Sequence, residues 1–231
     1  MLNIKSKLAQ LKIGFKFMLT ILITLGPTRE YIDPVRFISN ASSGKMGCEI
    51  IQQALKKKCK VIAVKGPCDI SIKKDNCKVV DVVTTEQMFK AVKDNLKKTD
   101  IFIGSAAVAD YRPVKTQKNK IKKSYGNLTL TLVKNVDIIS YVSKHKTKKQ
   151  IVIGFALESK SLIPYAKEKL NKKNLDMVIA NGIKTIGSNV SEPTILFKNG
   201  NIKKIKSATK KYIAKEIINE AIKLFSNNKI G

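Results

Sequence analysis

The chain has 231 residues, 43% of them hydrophobic, which is enough to bury a core by packing alone. It has no run of about 18 apolar residues that would span a bilayer. Its four cysteines, Cys48, Cys59, Cys68 and Cys77, form no C-x-x-C pair and have one histidine, His145, to join them. That argues against structural zinc and fits a reducing cytoplasm. The formal charge of +28 invites a nucleic-acid reading, but arginine supplies only three of the 45 cations and lysine the other 42, spread along the whole length. Nucleic-acid modules concentrate arginine and aromatics in one stripe, so the charge is read as a compositional lysine bias, one that still draws small polyanions inward.

In chain order, the basic, mildly amphipathic stretch Met1–Phe17 reads as a dispensable leader, with Met18 opening the folded part. Strands are expected at Leu19–Thr24, Lys60–Val64, Val79–Val83, Ile101–Gly104, Leu128–Val133, Ile151–Phe155 and Met177–Ala180. A last hairpin, Thr194–Phe197 with Ile202–Ile205, turns at Asn199-Gly200. Helical periodicity covers Lys45–Lys58, Thr85–Leu96, Asp137–Lys144, Leu162–Lys172 and Lys210–Phe225. Strand–helix alternation of this kind predicts an α/β fold, Rossmann-like and doubly wound, with a mostly parallel sheet in one domain over 18–231. The lysine-rich segment Lys115–Ser124 has too little apolar content to pack and reads as a flap over the site or a subunit contact.

The stretch Ile21–Gly47 is the most informative. An apolar strand ends at Gly26-Pro27, a loop carries Arg29, Glu30, Asp33 and Arg36, and Ser42-Ser43-Gly44-Lys45 opens a helix. Backbone N–H groups at such a start, together with the helix dipole, favour an anion beyond the strand's carboxyl end. Ser39 stands where a P-loop needs glycine, and no G-x-G-x-x-G follows the first strand, so neither standard nucleotide loop is present. The three arginines, Arg29, Arg36 and Arg112, all sit in loops beyond strands, either as forks for a ligand's carboxylate or phosphate or as loop-stabilising ion pairs. Small residues in Ser105–Ala109 would let a flat ring lie on backbone, with Asp110 either holding a ribose or metal ion or capping a turn. Asn40 closes an Asx-turn or donates to an acyl oxygen. His145, Cys48 and Met88 read as surface or core residues, and no Ser-His-Asp arrangement is evident.

The motifs GPTREYIDPVRFISNASSGKMG, SAAVADYRP, KIKK, LTLVKNVDII, GFALES and YAKEKLNKKNLDMVIAN resemble, in unbroken order, those of the phosphopantothenoylcysteine synthetase family. The resemblance implies ligation of 4′-phosphopantothenate to cysteine in coenzyme A biosynthesis, through an acyl-nucleotidylate formed from a nucleotide, CTP in bacterial members, with Mg²⁺ or Mn²⁺. By motif, Asn40 resembles the asparagine that holds the intermediate and Arg36 the arginine that serves its conversion. Nucleotide contacts fall on Gly104, Ser105, Ala106, Asp110, Lys120, Val136, Asp137, Ile138, Ile139, Phe155, Lys169 and Lys173. Ser42, Ser43, Gly44 and Lys45 are left for a substrate phosphate or carboxylate. Val136 replaces an expected proline, which softens that turn, and Leu25 replaces a smaller residue. A homodimer with the flap near the partner is implied. Because only 17 residues precede the first strand, so are a decarboxylase on a separate chain and the absence of flavin here. A basic nucleic-acid module and an NAD(P)-dependent oxidoreductase are the rival readings.

Overall fold

The computed structural model describes residues 18–72, 75–123, 126–183 and 188–228; the predicted leader lies outside them. The elements run β1 (Thr20–Leu25), β2 (Arg29–Tyr31), β3 (Phe37–Ser39), α1 (Lys45–Lys56), β4 (Lys60–Lys65), β5 (Cys77–Asp81), α2 (Thr85–Leu96), β6 (Ile101–Gly104), β7 (Tyr111–Pro113), β8 (Leu132–Lys134), α3 (Ile138–His145), β9 (Ile151–Glu158), α4 (Leu162–Lys172), β10 (Met177–Gly182), β11 (Val190–Ser191), β12 (Thr194–Phe197), β13 (Ile202–Lys204), β14 (Ala208–Thr209) and α5 (Lys210–Asn228).

An unbroken apolar run such as Ile21–Leu25 suits a strand covered on both faces, and β1 is buried over those residues. Residue parity then assigns each side chain to a layer. Odd-numbered Ile21, Ile23, Ile101, Ile103, Ile151 and Ile153 pack against α1 and α5, through Ile50, Ile51, Ile213 and Ile217. Even-numbered Leu22, Ile62, Phe102, Val152 and Val178 pack against α2, α3 and α4, through Met88, Val92, Val142 and Leu170.

The sheet has eight strands in the order β13-β12-β10-β9-β6-β1-β4-β5. From β10 to β5 all neighbours are parallel. Counted along the chain, those six strands follow the order 3-2-1-4-5-6, with the direction of winding reversing between β1 and β6. Ligands in such folds bind over the strand carboxyl ends at that reversal. β12 and β13 close one edge antiparallel, and Lys203 on β13 bonds Glu216 and Glu220 of α5 at 2.8 and 2.6 Å.

The predicted strand Leu128–Val133 does not join this sheet. Only Leu132–Lys134 is a strand, paired antiparallel with β7 in a separate two-stranded ribbon. Leu128, Leu130, Leu132 and Val133 are exposed, so a period-two apolar pattern here marks a surface ribbon. The polar loop after β1 instead folds into a hairpin, β2 with β3. Asp33 forms its turn by accepting bonds from the Val35 and Arg36 amides at 2.9 and 2.8 Å. The fifth strand begins two residues earlier than expected, at Cys77, because its register with β4 starts at the pair Val61 with Cys77.

Candidate active site

At the end of β1 the chain turns through Gly26 and Pro27, and at the end of β6 through Ser105 and Ala106. Backbone bonds lace the two loops together: Ser105 donates to the Thr24 carbonyl at 3.1 Å, Ala107 to the Gly26 carbonyl at 3.0 Å, and Thr28 to the Ala107 carbonyl at 3.3 Å. The Ala109 amide donates to the Thr28 hydroxyl at 2.9 Å, and the Asn135 amide donates to the Ala109 carbonyl at 2.8 Å. Over this floor opens a cleft of about 630 Å³, a size that fits a nucleotide with a second small substrate.

α1 enters the cleft with its first turn open. Gly44, at the N-cap, has φ of 72° and no side chain caps the helix. A side chain there would be strained by the left-handed backbone and would start 2.9 Å from the Cys68 sulfur. One turn in, a Cβ at Gly47 would lie 2.4 Å from that of Leu25, so only glycine lets α1 press its N-terminus onto the end of β1. Ser42, Ser43, Gly44 and Lys45 all line the cleft.

Two lysine pairs flank it. From one face of the sheet come Lys45 of α1 and Lys210 of α5; burial and the charge of Lys45 hold the Lys210 ammonium below its usual range. From the other face comes α4. Its Lys169 donates to the Phe155 carbonyl at 2.5 Å, and burial together with Lys173 pushes its pKa down. Lys173 pairs with Asp137 at 2.8 Å. Burial alone would raise the Asp137 carboxyl, but bonds from Lys173 and from Ser140, whose amide it caps at 3.0 Å, outweigh that and keep it below its ordinary value.

Nearly every expected site residue reaches this cleft: Asn40, Ser42–Lys45, Gly104–Ala106, Asp110, Val136–Ile139, Phe155, Lys169 and Lys173. Asn40 does not close a local Asx-turn. Its amide donates to the Ala107 and Val108 carbonyls at 3.3 and 3.0 Å, a long-range strut between the two loops in place of a local Asx-turn. Arg36 and Lys120 do not line the cleft. Arg36 holds Asp33 at 2.6 Å and donates to the Ile121 carbonyl at 2.6 Å, while the Ile121 amide donates to Asp33 at 3.1 Å. The lysine-rich segment is therefore pinned along the β2–β3 hairpin by polar bonds, aided by Thr116 and Gln117 donating to the Tyr31 and Ile32 carbonyls.

The other two arginines are struts as well. Arg29 lies 4.5 Å over the Phe37 ring, and Arg112 donates to the Lys134 carbonyl and the Asn135 side chain. Arg112, Glu30 and Asp33 also border a separate cavity of about 500 Å³. Met88 is buried core, while the His145 ring stacks on Tyr141 at 4.0 Å.

Among the lining residues that the sequence reading did not assign to the site are Asn181, Ser191 and Lys210. Asn181 is the last residue but one of β10, only 9% exposed, and its Oδ1 has no hydrogen-bond partner among the described residues. A buried acceptor left bare at the mouth of a cleft is a place where a ligand's donor fits. An asparagine ending the apolar run Met177–Ala180 was its available signal. Lys210 had none, being one lysine among 42.

Fold and site together define a Rossmann-like α/β protein whose lysine-lined cleft lies at the reversal of strand order, built without either standard glycine fingerprint. The chain belongs to the family described as the DNA/pantothenate metabolism flavoprotein C-terminal domain, whose model matches residues 18–224. It is 40% identical over 210 residues to the coenzyme A biosynthesis bifunctional protein CoaBC of Haemophilus influenzae, covering 90% of this chain and 52% of that protein. To the CoaBC protein of Borreliella burgdorferi it is 44% identical over 200 residues, covering 86% and 51%. Among solved structures, the C-terminal domain of a CoaBC protein superposes with a TM-score of 0.79 at 35% identity, covering 90% of this chain and 96% of that one. The chain spans about half the length of the curated relatives it matches.

Proposed function

We propose that the chain is a nucleotide-dependent carbon–nitrogen ligase that joins 4′-phosphopantothenate to L-cysteine in coenzyme A biosynthesis, with CTP as the activating nucleotide. The observation that carries this reading is the double cation set. Lys45 and Lys210 arrive from one face of the sheet, Lys169 and Lys173 from the other, over a single cleft. Two anionic partners must lie side by side for one to activate the other. Family membership and the coenzyme A relatives support the choice of substrates.

In this reading the nucleotide ring rests on Gly104–Ala106, with Asp110 near the ribose and the triphosphate toward Lys169 and Lys173. The phosphate of phosphopantothenate takes the start of α1. A carboxylate oxygen of phosphopantothenate attacks the α-phosphorus, the bond to the β-phosphate breaks, and pyrophosphate leaves. The amine of cysteine then attacks the acyl carbon of the acyl-cytidylate, the acyl C–O bond breaks, CMP leaves with the electron pair, and the amine proton is released. No protein nucleophile is required, so the chain's contribution is positioning and charge stabilisation. Asn40, between the two loops, supplies an amide for the acyl oxygen.

A divalent cation, Mg²⁺ or Mn²⁺, fits as a companion of the triphosphate. Among the described residues no three His, Cys, Asp or Glu side chains gather to hold one, and Mg²⁺ bound to nucleotides keeps few protein ligands. The ion would be held mainly by the triphosphate itself, and its chemistry would be neutralisation of phosphate charge.

Arg36 and Lys120 lie outside their own chain's cleft, and Val114, Leu128, Leu130 and Leu132 are exposed apolar side chains. We place both residues in the cleft of a second copy, in a homodimer. Mixing inactive Arg36→Ala with inactive Asn40→Asp protein would then restore activity, because every mixed dimer carries one intact site; no recovery after co-refolding counts against it. The primary test is pyrophosphate release from CTP and from ATP with phosphopantothenate, with and without cysteine. Protein that turns over neither nucleotide with both substrates present overturns the reading.

A further inference from the structure

We propose that Lys210, on the first turn of α5, is a specificity-determining residue that closes the phosphate subsite opposite Lys45 and so makes the enzyme demand a phosphorylated substrate. The inference rests on the ligase reading above and deepens it. β11 and β14 form a two-residue ribbon, Val190 with Thr209 and Ser191 with Ala208. It delivers Lys210 to the cleft, and the Lys210 amide donates to the Asn189 carbonyl at 3.2 Å. The ammonium is steadied by the Ser188 carbonyl, so it is held in place before any ligand arrives.

Three features make this a site built for an anion carrying two charges. Lys45 and Lys210 line the same cleft, where burial and then the charge of Lys45 hold the Lys210 ammonium below its usual range, yet neither lysine belongs to an ion pair among the described residues. Like charges kept together without a counter-ion are stabilised when a dianion enters. The first-turn N–H groups of α1, uncapped by any side chain, face the same space. Independently, the bare Oδ1 of Asn181 in the same cleft marks that ground as a ligand's; as an acceptor it suits the hydroxyl or amide chain next to a phosphate ester and not the phosphate itself. Lys169 and Lys173 lie on the opposite face and serve the triphosphate, so this subsite is left for a terminal phosphate monoester. An unphosphorylated substrate would leave the two ammonium groups of the cleft without a counter-charge.

Two measurements test it. In steady-state ligation, Lys210→Met should raise KM for 4′-phosphopantothenate about thirtyfold, the worth of one charge-assisted contact. KM for CTP and kcat should move less than about threefold. The preference for phosphorylated over unphosphorylated pantothenate should shrink, and Lys210→Arg should recover part of it. In thermal unfolding, inorganic phosphate should raise the Tm of wild type and of Lys169→Met but not of Lys210→Met or Lys45→Met. If wild type ligates and Lys210→Met keeps its KM, or if phosphate protects all variants equally or none, Lys210 has no such role. If wild type fails to ligate, the ligase reading falls while the phosphate measurement still decides the anion site. The exposed Lys45→Met variant keeps the test open should the α5 variant not fold.

Discussion

Two helix starts, those of α1 and α2, are finished in opposite ways. α2 begins with a complete capping box: Thr84 accepts from the Gln87 amide at 3.2 Å, and Gln87 accepts from the Val83 and Thr84 amides at 2.7 and 3.2 Å. Buried Glu30 fills what is left by accepting from the Thr85 amide at 2.8 Å. α1 begins at a left-handed glycine with no side-chain cap. Both starts lie at the carboxyl end of the sheet, so both could hold an anion. One already contains its own carboxylate, and the other has lysines around it. Capping a helix stabilises it by roughly 1 kcal/mol; forgoing that at α1 leaves the donors available to a substrate.

The largest effect we expect is at Asn40, on the open side. Asn40→Asp sets a carboxylate against the Ala107 and Val108 carbonyls and removes the donor, so ligation should fall at least about a hundredfold while the fold persists. Steady-state rates with circular dichroism would check this, and a wild-type rate would reduce Asn40 to a loop strut. Next comes a variant that makes α1 resemble α2. Ser43→Glu gives the open start a resident carboxylate and should raise KM for phosphopantothenate about tenfold without lowering Tm. The converse change, Thr84→Ala, should cost roughly 1 kcal/mol of stability in urea unfolding with kcat/KM within about twofold. Activity falling with Thr84→Ala but not with Ser43→Glu would invert the comparison.

The smallest effect concerns α3, which starts under a cap that also lines the cleft. The Asp137 carboxyl lies below its ordinary 3.8 in the folded chain. Its contribution is thus present above that pH and lost as pH falls through the lowered value. Asp137→Asn should be less stable than wild type by no more than about 1 kcal/mol at pH 7, since the group is half exposed. The gap should close in acid, and a gap that persists unchanged at pH 3 would show that charge is not its source.

Much of this was legible in the chain itself, for identifiable reasons. Strands buried on both faces leave unbroken apolar runs, and amphipathic helices leave a 3.6-residue period, so the six parallel strands and five helices could be read from pattern. Leu128–Val133 was misread because alternation reports that one face differs from the other, not that either is buried. The cleft's loops were legible because small residues, Gly44, Gly104, Ser105 and Ala106, gather where strands end. The destinations of Arg36 and Lys120 were not, since which acceptor a long cation reaches depends on how β2 and β3 fold back, and that is settled by Asp33 binding three backbone amides. Lys210 left no local trace, since it reaches the cleft only through the pairing of β11 with β14.

The sheet's two free edges carry a consequence for how the protein behaves in bulk. One ends in β13, three residues reading Ile-Lys-Lys, and the other in β5, which carries Lys78. Exposed strand edges recruit copies of themselves, and lysine on a short edge strand opposes that pairing. With a net charge of +28 behind those residues, two molecules meeting edge to edge repel before they can zip. That repulsion is colloidal and not structural. It should weaken once salt shortens the screening length to a few ångströms, so concentrated stocks should be clearest at low ionic strength.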